Sequence, residues 1–452
     1  MYSTDDLKTW DKNYIWHPFT QMTDWADSDP LIIERGEGFY LVDTEGRRYI
    51  DGVSSLWVIV HGHGRKELVD AIERQSRQLC HSTLLGLANV PSTVLAKKLT
   101  DILPRNLKKV FYSDNGSTSV EIAVKMSYQY WQQTGEKKRK RFISFRNGYH
   151  GDTIGSVSIG GIDLFHKVYR PLLFNSIKAP SPYCYRCPFK LERGSCDMAC
   201  VARFEEIVKK RREEVCAVVI EPLVQGAAGM IMQPPGFLGR IWRIAKDNGL
   251  HFIADEVATG FGRTGTMFAC EQEGVEPDFI CMAKGITGGY LPLAATVTTD
   301  EIFSGFLGRF DEYKTFFHGH TYTGNPVACA VAVENLKLFE KERVIESMAD
   351  KITLLRDELV RFEGLPHVGE VRQRGFMVGI ELVKNKKTKR PFAAAEKMGQ
   401  KVTAEARKQG VLIRPLGDVI VLMPPPAIDA QTLKELVSVT YDAVKRATGL
   451  GQ

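Results

Sequence analysis

Leu250-His251-Phe252-Ile253-Ala254-Asp255-Glu256-Val257 and Phe279-Ile280-Cys281-Met282-Ala283-Lys284-Gly285 are the stretches whose reading decides the fold. Each is a short apolar run that closes on a charge, Asp255 in the first and Lys284 in the second. Apolar runs of this length, bounded by Gly and Pro, read as strands buried on both faces of a parallel sheet. An unpaired carboxylate or ammonium in such a place costs several kcal/mol, so two core strands ending on charges call for a reason.

Two reasons fit the pair. One is a buried Asp–Lys ion pair at the carboxyl edge of the sheet. The other is pyridoxal phosphate, with the lysine forming the Schiff base and the aspartate keeping the ring nitrogen protonated.

Outward from these runs, strands and helices alternate from about residue 65 to 325. Lys109–Tyr112 reads as a strand and is followed by a helix through Trp131. Strands at 142–145 and 216–220 and a helix over 237–248 lead to the two decisive strands. The alternation predicts an α/β fold, a mostly parallel sheet with helices on both faces. Ligands of such sheets bind beyond the carboxyl ends of the strands, where Asp255, Lys284 and the Asn115-Gly116-Ser117 turn fall.

The C-terminal third reads as helices at 327–341 and 345–363, an alternating apolar segment Val368–Leu382, a helix at 393–409, strands at 411–413 and 419–423, and a closing helix at 430–447. That is a smaller α+β lobe. Strand-like pieces at Gly38–Val42 and Arg48–Gly52 join it, giving a large domain of 61–325 and a small one of 1–60 with 326–452.

Length and composition set limits. The 452 residues support a large core, and 44% hydrophobic with 25% charged residues is ordinary for a globular protein. The net charge of +6 is small for this length. The runs Lys137-Lys138-Arg139-Lys140-Arg141 and Lys384–Arg390 read as solvated loops rather than nucleic-acid patches. No apolar span, export signal or organelle signal is visible, so a cytoplasmic location is expected. Nine mostly scattered cysteines fit a reducing compartment. Four of them, Cys184, Cys187, Cys196 and Cys200, have a spacing that suits either tetrahedral zinc or unpaired thiols on a loop.

Several turns carry residues suited to a site. Gly116 permits a tight turn ahead of a helix whose N–H groups favour an anion, although Thr118-x-x-Glu121 also fits a capping box. Tyr149, in Arg146–Asp152, suits stacking on a flat ring or a glycine-rich surface loop. His318–Pro326 offers hydrogen-bond donors for a phosphate, or a loop with an N-cap. Arg414 follows a strand and suits a substrate carboxylate or a structural salt bridge.

Together these residues resemble the class III, fold-type I pyridoxal-phosphate aminotransferases, and within them the biotin-synthesis branch that aminates 8-amino-7-oxononanoate. The resemblance runs from Trp16-His17-Pro18-Phe19-Thr20 to Met423-Pro424-Pro425. Asp255-Glu256-Val257-Ala258-Thr259-Gly260-Phe261-Gly262-Arg263-Thr264-Gly265 resembles the class III signature. The Trp16 motif, Arg146–Asp152, His318–Pro326 and Arg414-Pro415-Leu416-Gly417 resemble the biotin branch.

The resemblance implies that Lys284 binds the cofactor and shuttles a proton, that Asp255 pairs with the pyridinium nitrogen, and that Tyr149 stacks near the ring and the substrate. It implies that Gly116 and Ser117 hold the phosphate with His320 and Thr321 from the second subunit of a homodimer. Gly319 lies against the substrate, Arg414 takes its carboxylate, and Glu221 and Arg263 support the site from behind. No metal is implied. Two positions depart from the S-adenosylmethionine-using pattern: Phe19 stands where Tyr is usual, and Leu56-Trp57 where a Trp pair is usual. S-adenosylmethionine is therefore the expected donor with lysine as its rival. The neighbouring alternative is an ω-amino acid or diamine:pyruvate aminotransferase.

Overall fold

The computed structural model describes residues 2–449. Its centre is a seven-stranded sheet in the order Leu107–Ser113, Ala294–Thr299, Phe279–Met282, His251–Asp255, Val215–Ile220, Arg141–Phe145, Ile177–Ala179. The last five strands of that order are mutually parallel, with Ile253 opposite Phe279 and Val219. Ala294–Thr299 runs antiparallel to both its neighbours. Every residue of His251–Asp255, Phe279–Met282 and Val215–Ile220 is buried. This is why those segments read as unbroken apolar runs.

Helices cover both faces. Gly116–Gln133 packs Val120, Ile122 and Ala123 into a cluster with Ile253, Phe279 and Cys281. Phe237–Asp247 and Ala199–Arg211 bury Phe237, Ile241 and Phe204 with Phe252 and Val218 on the other side. Asn115 caps the first of these helices: its Oδ1 accepts from Thr118 N at 3.0 Å, and Thr118 Oγ1 accepts from Asn115 N at 3.3 Å. Thr118 is thus the reciprocal partner in the box rather than the N-cap expected of it. Glu121, freed from capping, hydrogen-bonds the Thr153 hydroxyl instead.

A second sheet orders Val368–Arg374, Met377–Leu382, Val419–Leu422 and Arg414–Leu416. The alternating segment 368–382 is therefore a hairpin. A third sheet joins the two ends of the chain: Ile33–Glu37, Tyr40–Asp43 and Arg48–Asp51 continue into Val411–Leu412, with Ile50 opposite Val411. The helix Pro326–Lys341 packs Ala328, Ala332 and Phe339 against Met282 and Leu95, on the side of the large sheet. The basic run 384–390 lies in a turn, and 137–141 is a loop up to Lys140 whose last residue, Arg141, opens the strand Arg141–Phe145. No helix among the described residues is long and apolar enough to cross a membrane.

Candidate active site

Asp255, Glu221 and Lys284 leave three adjacent strands at their carboxyl ends and line one cavity of about 760 Å³ with Trp57, Gly116, Ser117 and Tyr149. Asp255 is buried, and its two oxygens have separate donors. His150 Nδ1 lies 2.7 Å from Oδ2, and Val257 N donates to Oδ1 at 3.1 Å. A carboxylate only accepts, so the proton is on Nδ1 of His150.

Lys284 opens a 3₁₀ turn with a φ of 48°, a left-handed conformation that a lysine adopts only under constraint. Its ammonium makes no ion pair among the described residues, and Asp255 is engaged by His150. The Asp–Lys ion pair is therefore not what the two charges form. Burial drives the Lys284 pKa down to about 8, opposed by Asp255 and Glu221 and assisted by Arg263. Nζ sits 4.8 Å from the centre of the Trp57 ring, within cation–π range.

The anion seat is at the start of Gly116–Gln133. A Cβ on Gly116 would fall 2.5 Å from Val257 Cγ1, so no side chain fits there. Thr153 N donates to Ser117 Oγ at 2.9 Å, and Gly151, at φ 110°, lets that loop pass against Ser117. Open N–H groups, the helix dipole and a hydroxyl make a phosphate cradle.

Tyr149 donates its hydroxyl to Asp152 Oδ2 at 2.6 Å, and burial together with that carboxylate raises its pKa. Its backbone N–H donates to Glu221 Oε2 at 3.0 Å, while Gly226 N donates to Oε1 at 2.9 Å. Burial raises the Glu221 pKa to about 7.

Trp57 hangs from a constrained turn. Ser54, Ser55 and Trp57 have φ values of 51°, 61° and 64°. Arg263, 1% exposed, fastens this turn by donating to Ser54 Oγ (3.0 Å), Ile59 O (2.8 Å) and Pro424 O (2.9 Å). Asp51 holds its other side through Ser55 N at 2.7 Å. Trp57 lines the cavity, and its indole N–H is buried without a hydrogen-bond partner among the described residues. The lone amine, the carboxylate with its own proton donor, and the anion cradle in one cavity walled by Trp57 and Tyr149 together fit pyridoxal phosphate.

The remaining predicted residues lie outside this cavity lining. Arg414 is half-buried on Arg414–Leu416 and has no carboxylate partner among the described residues, which excludes the salt-bridge reading; Tyr149 is the group acting on it electrostatically. Phe19 is 60% exposed, its ring 5.3 Å from Phe165, which stands 6.3 Å from Tyr149. Leu56 is exposed on the turn that carries Trp57. Gly319 and Thr321 are exposed, and His320 Nδ1 lies 2.6 Å from Asp114 Oδ2 at the cavity rim.

Sequence reasoning gave no role to His150 or Thr153, although both sit in the polar run after the strand 141–145. Cys184, Cys187, Cys196 and Cys200 are part-buried free thiols around a separate cavity of about 300 Å³. No group of three or more metal-ligating side chains among the described residues is arranged to hold an ion.

Comparison with known proteins agrees with the geometry. The family model for "Aminotransferase class-III" matches residues 22–444. The chain is 52% identical over 449 residues, 99% of each protein, to the adenosylmethionine-8-amino-7-oxononanoate aminotransferase of Geobacter sulfurreducens. The crystal structure of the protein of that name from Methanocaldococcus jannaschii superposes with a TM-score of 0.94 at 49% identity, covering 98% of this chain and 99% of the other. A PLP-bound amine transaminase from an uncultivated Pseudomonas species superposes at 0.91 with 36% identity, covering 96% and 99%. The α/β architecture is that of the fold-type I transaminases. The chain belongs to the class III aminotransferases, which are pyridoxal-phosphate-dependent enzymes.

Proposed function

We propose that this enzyme transfers an amino group from S-adenosylmethionine to the 7-keto carbon of 8-amino-7-oxononanoate, giving 7,8-diaminononanoate in biotin synthesis. The observation that carries the chemistry is the partnerless Lys284 amine sharing one cavity with Asp255 and the Gly116–Ser117 cradle. Relatives bearing the corresponding name along the whole chain support the choice of substrate.

In this reading Gly116 and Ser117 would hold the cofactor phosphate, Asp255 the ring nitrogen, Tyr149 the ring face, and Lys284 the aldehyde carbon. When bound, pyridoxal phosphate supplies an electron sink for the pair released on C–H cleavage. The protein supplies the rest. His150 orients Asp255, and Glu221 orients the Tyr149 backbone. With the cofactor bound, Lys284 would take and return the substrate proton at Nζ. A pKa near 8 leaves a usable neutral fraction at physiological pH. Arg414 grips the keto-acid carboxylate, while Phe19, Leu56, Trp57 and Gly319 form the substrate walls. The donor departs before the acceptor binds, so ping-pong kinetics are expected.

The working unit is a homodimer in the cytoplasm, with the partner subunit's His320 and Thr321 completing the phosphate seat. The helix Thr4–Tyr14 has no buried residue, and Trp16, Phe317 and Tyr322 are exposed beside the site-bearing segments, as an uncovered interface would leave them. In this reading the lobes divide at 61 and 325, with the helix Pro326–Lys341 crossing back from the small lobe to pack on the large sheet.

The test is turnover of 8-amino-7-oxononanoate with S-adenosylmethionine, lysine or a diamine, with sedimentation giving the oligomer. Amination from S-adenosylmethionine is expected. Amination from lysine alone would change the donor. Transfer only to pyruvate would replace the reading with that of an ω-amino acid or diamine aminotransferase.

A further inference from the structure

Lys284 is held in its left-handed conformation by something, and the cavity walls do not explain it. The carbonyls that follow it, Gly285 O and Ile286 O, are both captured by one side chain: Asn335 Nδ2 donates to each at 3.0 Å. Asn335 is fully buried on the helix Pro326–Lys341, which otherwise contributes only apolar packing at this face. Because both carbonyls only accept, the amide orientation is fixed and Oδ1 must point away from them. That oxygen lies against Gly288, where a Cβ would come within 2.9 Å of it, and it has no donor.

The polar group facing Asn335 is His61. Its ring is 5% exposed and stands edge-on to Phe339 of the same helix at 5.1 Å, and its nitrogens lie close to Asn335 without reaching hydrogen-bonding geometry. Three orphaned polar atoms on two adjacent buried side chains are costly unless they satisfy one another. One imidazole N–H and the Asn335 carbonyl oxygen are complementary. His61 also neighbours Val60, whose N–H reaches Gly288 O at 3.3 Å, so the two segments are already laced together.

We infer that Asn335, oriented by His61, is a positioning residue that locks the turn after Lys284 and thereby aims its amine into the cavity. Neither side chain lines the cavity, so they act through Lys284 rather than on substrate or cofactor. The inference rests on the reading of Lys284 as the reactive amine.

The experiment uses full-length apoprotein and holoenzyme carrying Asn335→Ala, His61→Leu or His61→Gln. The readouts are the rate at which added pyridoxal phosphate develops its visible protein-bound band, and kcat and KM per cofactor-loaded site in each half-reaction. For Asn335→Ala, band formation and both per-site kcat values should fall together at least tenfold, with each KM within twofold. His61→Leu should move the same readouts in the same direction. His61→Gln keeps an N–H donor and should restore them.

Normal per-site rates with only a lower melting temperature or loaded fraction would reduce the pair to scaffold and overturn the inference. If Asn335→Ala fails to fold, the Leu and Gln variants at His61 decide, since equal behaviour of the two would also overturn it. Should wild-type protein form the band yet aminate no 8-amino-7-oxononanoate, the substrate assignment fails while band formation still tests this inference.

Discussion

Replacing Arg263 with Met separates what this guanidinium does for the fold from what it does for the site. Burial drives the Arg263 pKa down to about 9. At roughly 1.4 kcal/mol per tenfold, that is about 5 kcal/mol working against the charged form. Its three hydrogen bonds, to Ser54 Oγ, Ile59 O and Pro424 O, are worth roughly 1.5–3 kcal/mol each because the donor is charged. The turn they fasten stores strain at Ser54, Ser55 and Trp57, about 1 kcal/mol per left-handed residue. Methionine approximates the volume, removes the buried charge and lets the turn relax. The opposing contributions are of similar size, so Arg263→Met should leave stability within about 4 kcal/mol of the parent. Activity has no such compensation. A relaxed turn moves Trp57 off Lys284, and a displacement near 1 Å at the reacting groups costs on the order of a hundredfold. The assay pairs urea unfolding with kcat/KM per loaded site. A large loss of stability with normal per-site turnover would refute the argument that Arg263 serves the geometry of Trp57.

Gly116→Ala should weaken pyridoxal-phosphate affinity at least tenfold, because the new Cβ meets Val257 2.5 Å away; equilibrium dialysis reads this directly. The rate at which apoprotein captures pyridoxal phosphate should rise with pH and level off above about 8. Only neutral Lys284 attacks the aldehyde, and its lowered pKa makes the plateau arrive well before that of an ordinary lysine; a profile still climbing at pH 10 would contradict it. Arg414→Leu should impair the keto-acid half-reaction by about 2–5 kcal/mol and the donor half-reaction far less, as single-turnover rates will show. Burial raises both Glu221 and Glu256 to about 7, above their unfolded values. Their protonated forms are favoured by folding, so stability should decline as pH rises from about 4.5 through 7, and Glu221→Gln should flatten part of that slope.

The decisive strands were legible because burial on both faces leaves no room for polar residues. Leu250–Asp255 and Phe279–Ala283 accordingly announce themselves. The strand Ala294–Thr299 did not stand out, since half of it is threonine, with Thr296 and Thr298 buried by donating to Ser119 O and Asp278 O. The capping box was misassigned because Thr118 and Glu121 fit the local pattern while Asn115, the actual cap, competes from three residues earlier.

Asp255 and Lys284 were readable as misplaced charges. The role of His150 was not, because its partner Asp255 lies 105 positions away and only the folded sheet brings them together. The strain at Ser54, Ser55 and Trp57 was equally hidden: no glycine marks those left-handed residues, and the constraint comes from Arg263 and Asp51.

The central claim is that Lys284 is the amine that carries the cofactor opposite Asp255. Borohydride reduction of the pyridoxal-phosphate-loaded enzyme, followed by peptide mass mapping, tests it most directly. The account predicts one phosphopyridoxyl group per chain, on Lys284 and on no other lysine. A label on a different lysine, or a loaded enzyme that yields no labelled peptide, would contradict it.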